Sequence, residues 1–425
     1  MTKRDYCGSI DYNNSPCDDF KKGESYEKQK IERYKILTSY MEENLSIYIH
    51  IPFCLSKCYY CDFVSYQNIS EEKIKMYVDA LCNEILSSAD LISSKNVKTI
   101  YIGGGTPSFI NEDYIKQILD TIYMLTCKDK IEEITLEVNP CTLSYKKAKE
   151  YREIGINRIS IGLQSIYDDI LKTIGRKHTY SDFINALNIL NDVGFENISC
   201  DLIYPLPNMS YDMLKKEIDT TISLKDKYNI KHISVYNLEI HEGTKLDFLI
   251  KEGDVSLCDE DTEYKMREYI NSKLEESGFH KYEISNYSLL GYESKHNLVY
   301  WKQGIYLGFG ANASSFINGT RYSNISGIDE YIKSIQNRKE HIKEKVQMDM
   351  LELMKEYIML NLRLSSGVDI DKFYKRYGKK IDSLFKTEID ELISLGLLEY
   401  KNNNKNIVLT NRGAEVANVV FERFI

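Results

Sequence analysis

Six times between residues 46 and about 240, a short apolar run rich in β-branched residues gives way to a longer stretch of helical spacing. The strand-like runs are SIYIHI (46–51), VKTIYIG (97–103), EEITLEV (132–138), NRISIG (157–162), FENISCDLIY (195–204) and HISVYNLEI (232–240). The helix-like stretches between them are 71–92, 112–125, 144–155 and 180–194, the last ending on Gly194, with one more before the sixth strand. Strands alternating with helices of this length are parallel βα units. Six units predict an α/β chain folded as an open or incomplete (β/α)6 barrel. A doubly wound sheet is the alternative.

Proline placement sharpens the prediction. Of six prolines, Pro52, Pro107, Pro140, Pro205 and Pro207 lie just past the end of an expected strand. Proline cannot donate to a sheet ladder and suits the turn that follows a strand. In a parallel βα fold those turns share one face, where such folds build their sites. The segments IPFC, GGGTP, EVNP and IYPLP should therefore converge in space.

The rest of the chain divides around this core. Residues 1–45 are polar and read as an N-terminal extension, with a helix over 28–43. The core is expected to run over 46–320, becoming irregular after about 245, with a helix over 260–277 and a short YEIS strand. A small unit is expected over 341–425, where three helical stretches, a hairpin across an Asn/Lys turn and a closing helix suggest a winged-helix-like domain. It carries 14 Lys/Arg against 13 Asp/Glu, which is no DNA-binding surface. The whole chain is 43% apolar and 28% charged, enough for a core, and its net charge of −9 argues against general affinity for nucleic acid or anionic membrane. No apolar run reaches the ~18 residues of a membrane span, and the N-terminus lacks a signal-peptide core. A cytoplasmic protein is expected, so its ten cysteines are not read as disulfides.

Three of those cysteines are grouped. Cys54, Cys58 and Cys61 place three thiolates directly after the first strand. A structural zinc would want a fourth ligand, and the nearby candidate, His50, lies inside the strand. A 4Fe–4S cluster takes one thiolate per iron, so three thiolates leave one iron open. Gly103-Gly104-Gly105-Thr106-Pro107 follows the second strand on the same expected face, where glycines let backbone N–H groups approach a polar ligand.

A CxxxCxxC run after a strand, followed by GGGTP, resembles the radical S-adenosylmethionine (SAM) superfamily. More narrowly, the segments SIYIHIPFCLSKCYYCDF, YIGGGTPS, LEVNP, NRISIGLQS, IGRKHT, DLIYPLP, YEISNY, ESKHNLVYW and YLGFGA resemble the oxygen-independent coproporphyrinogen III oxidase-like family. The resemblance implies a radical SAM barrel. In it, Cys54, Cys58 and Cys61 hold a 4Fe–4S cluster whose open iron takes the methionine part of SAM. It further implies that Tyr48 and Tyr60 flank SAM and that Gly104, Gly105 and Thr106 contact its amino-acid portion. Glu137 would reach its polar groups, and Gln164, Arg176 and Asp201 would line the rest of its site. Carboxylates at strand ends can accept from an ammonium or ribose hydroxyls, and an arginine can pair with a carboxylate.

The branch is set by small differences. The decarboxylating oxidases carry a further cysteine two positions after the third, where this chain has Phe63. Phenylalanine there, with His296-Asn297-Leu298-Val299-Tyr300-Trp301, resembles the haem-chaperone branch, HemW. The resemblance implies a third ligand, haem, bound through His296, Asn297, Tyr300 and Trp301 and passed to an acceptor haemoprotein, with any membrane contact made through that acceptor. An imidazole can ligate haem iron and aromatics can cover a porphyrin face. Two other readings stay open: a radical SAM enzyme acting on a tetrapyrrole, by oxidation of coproporphyrinogen III or by haem-modifying methyl transfer, and an iron–sulfur barrel protein that only makes protein contacts.

Overall fold

In a computed structural model of the protein, the described residues are 43–424. The residues expected to form an N-terminal extension and its helix lie outside them, except that Glu43 is a turn and the first strand already begins at Asn44.

The six expected βα units are present. The strands are β1 (Asn44–Ile51), β2 (Asn96–Gly104), β3 (Glu133–Val138), β4 (Arg158–Gln164), β5 (Ile198–Tyr204) and β6 (Ile230–Asn237). The principal helices between them are α1 (Glu71–Ser87), α2 (Glu112–Tyr123), α3 (Tyr145–Glu153), α4 (Tyr180–Val193) and α5 (Tyr211–Ser223). All five start alike: the side chain of Ser70, Asn111, Ser144, Thr179 or Ser210 accepts a backbone N–H of the first turn. Gly194 ends α4 in the left-handed conformation, as its position suggested. The expected 71–92 helix is broken after Ser87, and a separate short helix covers Ala89–Ser93.

The strands pair in parallel and in chain order, β1 to β6. A doubly wound sheet reverses its strand order at a switch point; here the order never reverses, which makes this a barrel-type winding. The barrel is open. The free edge of β6 takes β8 (Asn286–Ser288) antiparallel, with β7 (His280–Lys281) beyond it. The free edge of β1 takes β9 (Tyr306–Phe309) in parallel, and β10 (Ser314–Ile317), β11 (Thr320–Asn324) and β12 (Ile342–Gln347) extend the sheet to twelve strands. Because β12 pairs with β11, the first residues of the segment expected to form the C-terminal unit are an edge of the large sheet.

Between β6 and β9 lie α6 (Glu260–Glu276) and α7 (Lys295–Trp301). YEIS is not itself a strand. It is the turn between β7 and β8, because the buried Glu283 carboxylate accepts from the Ser285 N–H and the Asn286 amide and draws the backbone round. HNLVYW is helical: Ser294 caps α7, and the buried Glu133 carboxylate accepts from the N–H groups of Lys295 and His296.

After β12, the helix α8 (Met350–Leu362) opens a small domain with its own core, in which Tyr357, Phe373, Phe385 and Phe424 are buried. Its antiparallel sheet has the order β13 (Val368–Asp369), β15 (Asn406–Leu409), β14 (Leu398–Lys401). The β14–β15 turn puts Asn402, Asn403 and Asn404 at positive φ, which asparagine tolerates better than most residues. The expected closing helix is two short ones, Asn411–Glu415 and Ala417–Glu422. Phe316 of β10 joins this second core, so the domain sits directly on the large sheet.

Candidate functional site

A cavity of about 1520 Å³ opens at the C-terminal ends of the barrel strands and reaches the small domain. All the segments expected to converge contribute to it: Cys54, Cys58 and Cys61 after β1, Gly104 to Thr106 after β2, Glu137 to Asn139 after β3, and Ile203 and Tyr204 at the end of β5.

The cysteine loop is held at several points. The Cys54 N–H donates to the Tyr66 carbonyl, and the Cys61 N–H to the Cys58 carbonyl. Across it lies the glycine run, whose Gly105 and Thr106 N–H groups donate to the carbonyls of Ile51 and Phe53. Gly105 has no room for a side chain, since a Cβ would stand 2.8 Å from the Phe53 carbonyl oxygen and 3.0 Å from Cys54 Sγ. The Thr106 hydroxyl donates to Cys54 Sγ at 3.6 Å, and Arg176 Nη1 to Cys58 Sγ at 3.6 Å. Arg176 is fixed by the Gly162 carbonyl at 2.9 Å and by His178 Nδ1. The preceding Gly175, at φ +77, receives the ring of Tyr59, which a Cβ would strike at 2.5 Å.

The loop offers three free thiols. Burial raises the thiols of Cys54 and Cys61, and a bound cation reverses that by favouring thiolate. Among the described residues no three His, Cys, Asp or Glu side chains group tightly enough to hold one metal ion. A single zinc needs all its ligands on one centre, whereas a cluster spreads its thiolates one to an iron. The donor set therefore fits a cluster better than a zinc. His50 gives zinc no help: it is buried, does not line the cavity, and shares a hydrogen bond of 2.9 Å with the Tyr48 hydroxyl.

Two carboxylates stand on the strand ends beside the thiols. Glu137 accepts from the Tyr101 hydroxyl at 2.8 Å and the Gly104 N–H at 3.1 Å. Burial, helped by the charge of Asp201, still pushes its carboxyl up to about 7. Asp201 accepts from the hydroxyls of Ser160, Ser234 and Ser199, and burial outweighs them, so its carboxyl also sits above the usual range. Such carboxylates gain from a ligand that brings positive charge or donors. Gln164, at φ +65 where β4 shifts register against β5, completes this wall with Tyr60.

Of the expected SAM contacts, only Tyr48 does not line the cavity. It lies one layer behind, stacked on Tyr101 at 6.3 Å, and Tyr101 holds Glu137. Of the expected haem segment, Asn297, Tyr300 and Trp301 line the cavity and His296 does not. His296 is 0% exposed. Thr99 donates its hydroxyl to Ser46 and so accepts from His296 Nδ1, at 2.8 Å, while Nε2 accepts from the Tyr300 hydroxyl at 2.8 Å. Both ring nitrogens are used, and burial with the nearby Arg158 cation drives the imidazole pKa down to about 3. This geometry does not offer His296 as an iron ligand; it makes the imidazole the support of Tyr300. No spacing or motif in the sequence marks Tyr101 or Glu133 as part of the site. Gly175 lies in the IGRKHT motif beside Arg176, the one signal in the sequence that points to it.

The described chain has no helix long and apolar enough to cross a membrane. Residues 48–220 match the Radical SAM superfamily model, and residues 348–416 match that of the HemN C-terminal domain. The chain is 37% identical to the heme chaperone HemW of Bacillus subtilis over 89% of this chain and 99% of that one. To the heme chaperone HemW of Lactococcus lactis it is 36% identical, over 89% and 97%. Its fold is that of the coproporphyrinogen III oxidase HemN of Escherichia coli, with a TM-score of 0.77 at 21% identity over 92% of each chain. With a radical SAM barrel, a HemN-type C-terminal domain and relatives this similar along nearly their whole length, the chain belongs to the HemW family.

Proposed function

We propose that the chain is a haem chaperone of the HemW kind, holding a 4Fe–4S cluster, SAM and haem and passing haem to an acceptor haemoprotein in the cytoplasm. The observation that carries this reading is one continuous cavity. It runs from three free thiols to Tyr300, Trp301 and the small domain, and Phe63 lines it where an oxidase would have a fourth cysteine. The relatives named heme chaperones support it.

Cys54, Cys58 and Cys61 hold the cluster. When bound, the cluster supplies an iron without a protein thiolate, at which the amino-acid end of SAM can be chelated. Arg176 and Thr106 fix the sulfurs of Cys58 and Cys54. Gly104, Gly105 and Thr106 leave space for the SAM amino acid. Glu137 and Asp201 accept from its ammonium or ribose hydroxyls, Gln164 and Tyr60 cover its flank, and Tyr48 braces Tyr101 behind Glu137. At the other end Tyr300, Trp301 and Asn297 face the porphyrin, with His296 as a positioning residue.

The test runs two assays on anaerobically reconstituted protein. Expected are stoichiometric haem binding, passage of that haem to a haem-free haemoprotein, and no change in coproporphyrinogen III under reducing conditions with SAM. Conversion of coproporphyrinogen without haem binding would replace the chaperone reading with the tetrapyrrole enzyme.

A further inference from the structure

The cavity wall supplied by the small domain carries a cation that forms no ion pair among the described residues. Arg363 closes α8, where the small domain meets the β7–β8 turn. Its guanidinium lies over the Trp301 ring at 4.4 Å and 5.9 Å from the Phe421 ring, so it sits between the core and the last helix. Arg363 Nε is buried with no hydrogen-bond partner among the described residues, and so is the adjacent Trp301 Nε1. Glu283 and Glu239 act on it through their charge, but neither forms an ion pair with it, and Glu283 turns Oε1 to the Ser285 N–H and the Asn286 amide. Burial lowers the Arg363 pKa, the mark of a charge stripped of water without full compensation. Other arginines near this domain are paired: Arg321 with Glu356 at 2.7 Å and Arg423 with Glu391 at 3.3 Å.

A half-buried guanidinium that has lost water at Nε, with no ion pair among the described residues, gains from an anion that completes it. Its planar fork matches a carboxylate with two parallel N–H···O bonds. Both Arg363 and Trp301 line the cavity. We infer that Arg363, lying over Trp301, seats a carboxylate of a planar, carboxylate-bearing ligand lying against the aromatic end of the cavity. This rests on the haem reading and adds to it which end of the macrocycle enters: the acidic edge meets the small domain. That contact ties the small domain to the ligand, since Arg363 belongs to α8.

The experiment compares haem with haem dimethyl ester, which has the same ring and iron but no free carboxylates, on the full reconstituted chain. Wild type should bind haem about 10- to 100-fold more tightly than the ester, the worth of a charge-assisted contact. Arg363→Met should bind both with the affinity wild type has for the ester, at unchanged iron content. Arg363→Lys, which keeps the charge and the stem but not the fork, should keep part of the preference and carries the test if the methionine variant does not fold. Equal affinity of wild type for haem and ester overturns the inference and leaves the haem reading standing, as does an undiminished preference in the folded Arg363 variant. Binding of neither probe by wild type overturns both.

Discussion

The two ends of the cavity are built in opposite ways. The thiol end comes from turns that follow β1, β2 and β3, and each partner is close in sequence to a strand whose direction fixes it. The aromatic end is assembled from α7, the end of α8 and the helices after β15, which meet only because the small domain packs on the large sheet. Parallel strands impose one geometry on every turn at their C-terminal ends. A seam between domains has no such template and takes its specificity from individual side chains such as Arg363.

Crossed substitutions break this comparison most forcefully. Cys58→Ala should leave reconstituted protein without its cluster absorption, a near-complete loss. Trp301→Ala should retain iron while weakening haem binding by roughly tenfold to a hundredfold, as loss of a central aromatic does. If each variant damaged both ligands equally, the two ends would not be separable. Gly105→Ala comes next. Its Cβ would press on the Phe53 carbonyl and Cys54 Sγ, so overpacking should cost about 1–3 kcal/mol in denaturant unfolding and reduce cluster content. Unchanged stability would mean the cysteine loop yields freely.

The barrel end should also respond to pH. Glu217 on α5 is 0% exposed, accepts from the Ser165 hydroxyl and the Ile166 N–H after β4, and burial pushes its carboxyl up to about 7. A folded value above the ordinary one favours the protonated form. The stability it contributes is present below about pH 4.5 and is lost as pH rises through about 7. Glu217→Gln should flatten the pH dependence of unfolding between those values by up to about 3 kcal/mol. An unchanged slope would put the carboxyl in contact with water. The smallest effect belongs to His296→Gln, which should leave the Soret position of bound haem where wild type has it and alter affinity only slightly through Tyr300. A shifted Soret band would restore His296 as a ligand.

The same contrast governs what the sequence disclosed. The βα alternation, the proline-marked turns, the three thiols and the glycine run were legible because each is a local consequence of strand direction or backbone freedom. The YEIS turn was not, because its apolar alternation looks like a strand and only the burial of Glu283 bends it. Nor was the withdrawal of His296, which needs Thr99 and Tyr300 on either side of the ring. Glu133 looked like the start of a strand, yet its carboxylate caps α7 from 162 residues away. Long-range polar partners leave no periodic trace in a chain.

Every role assigned along the cavity depends first on what the three thiols hold. Iron and acid-labile sulfide should be measured after anoxic reconstitution of the full chain. About four of each per chain is the predicted result, as one cubane requires. Stoichiometric zinc in their place, or iron without sulfide, would contradict it.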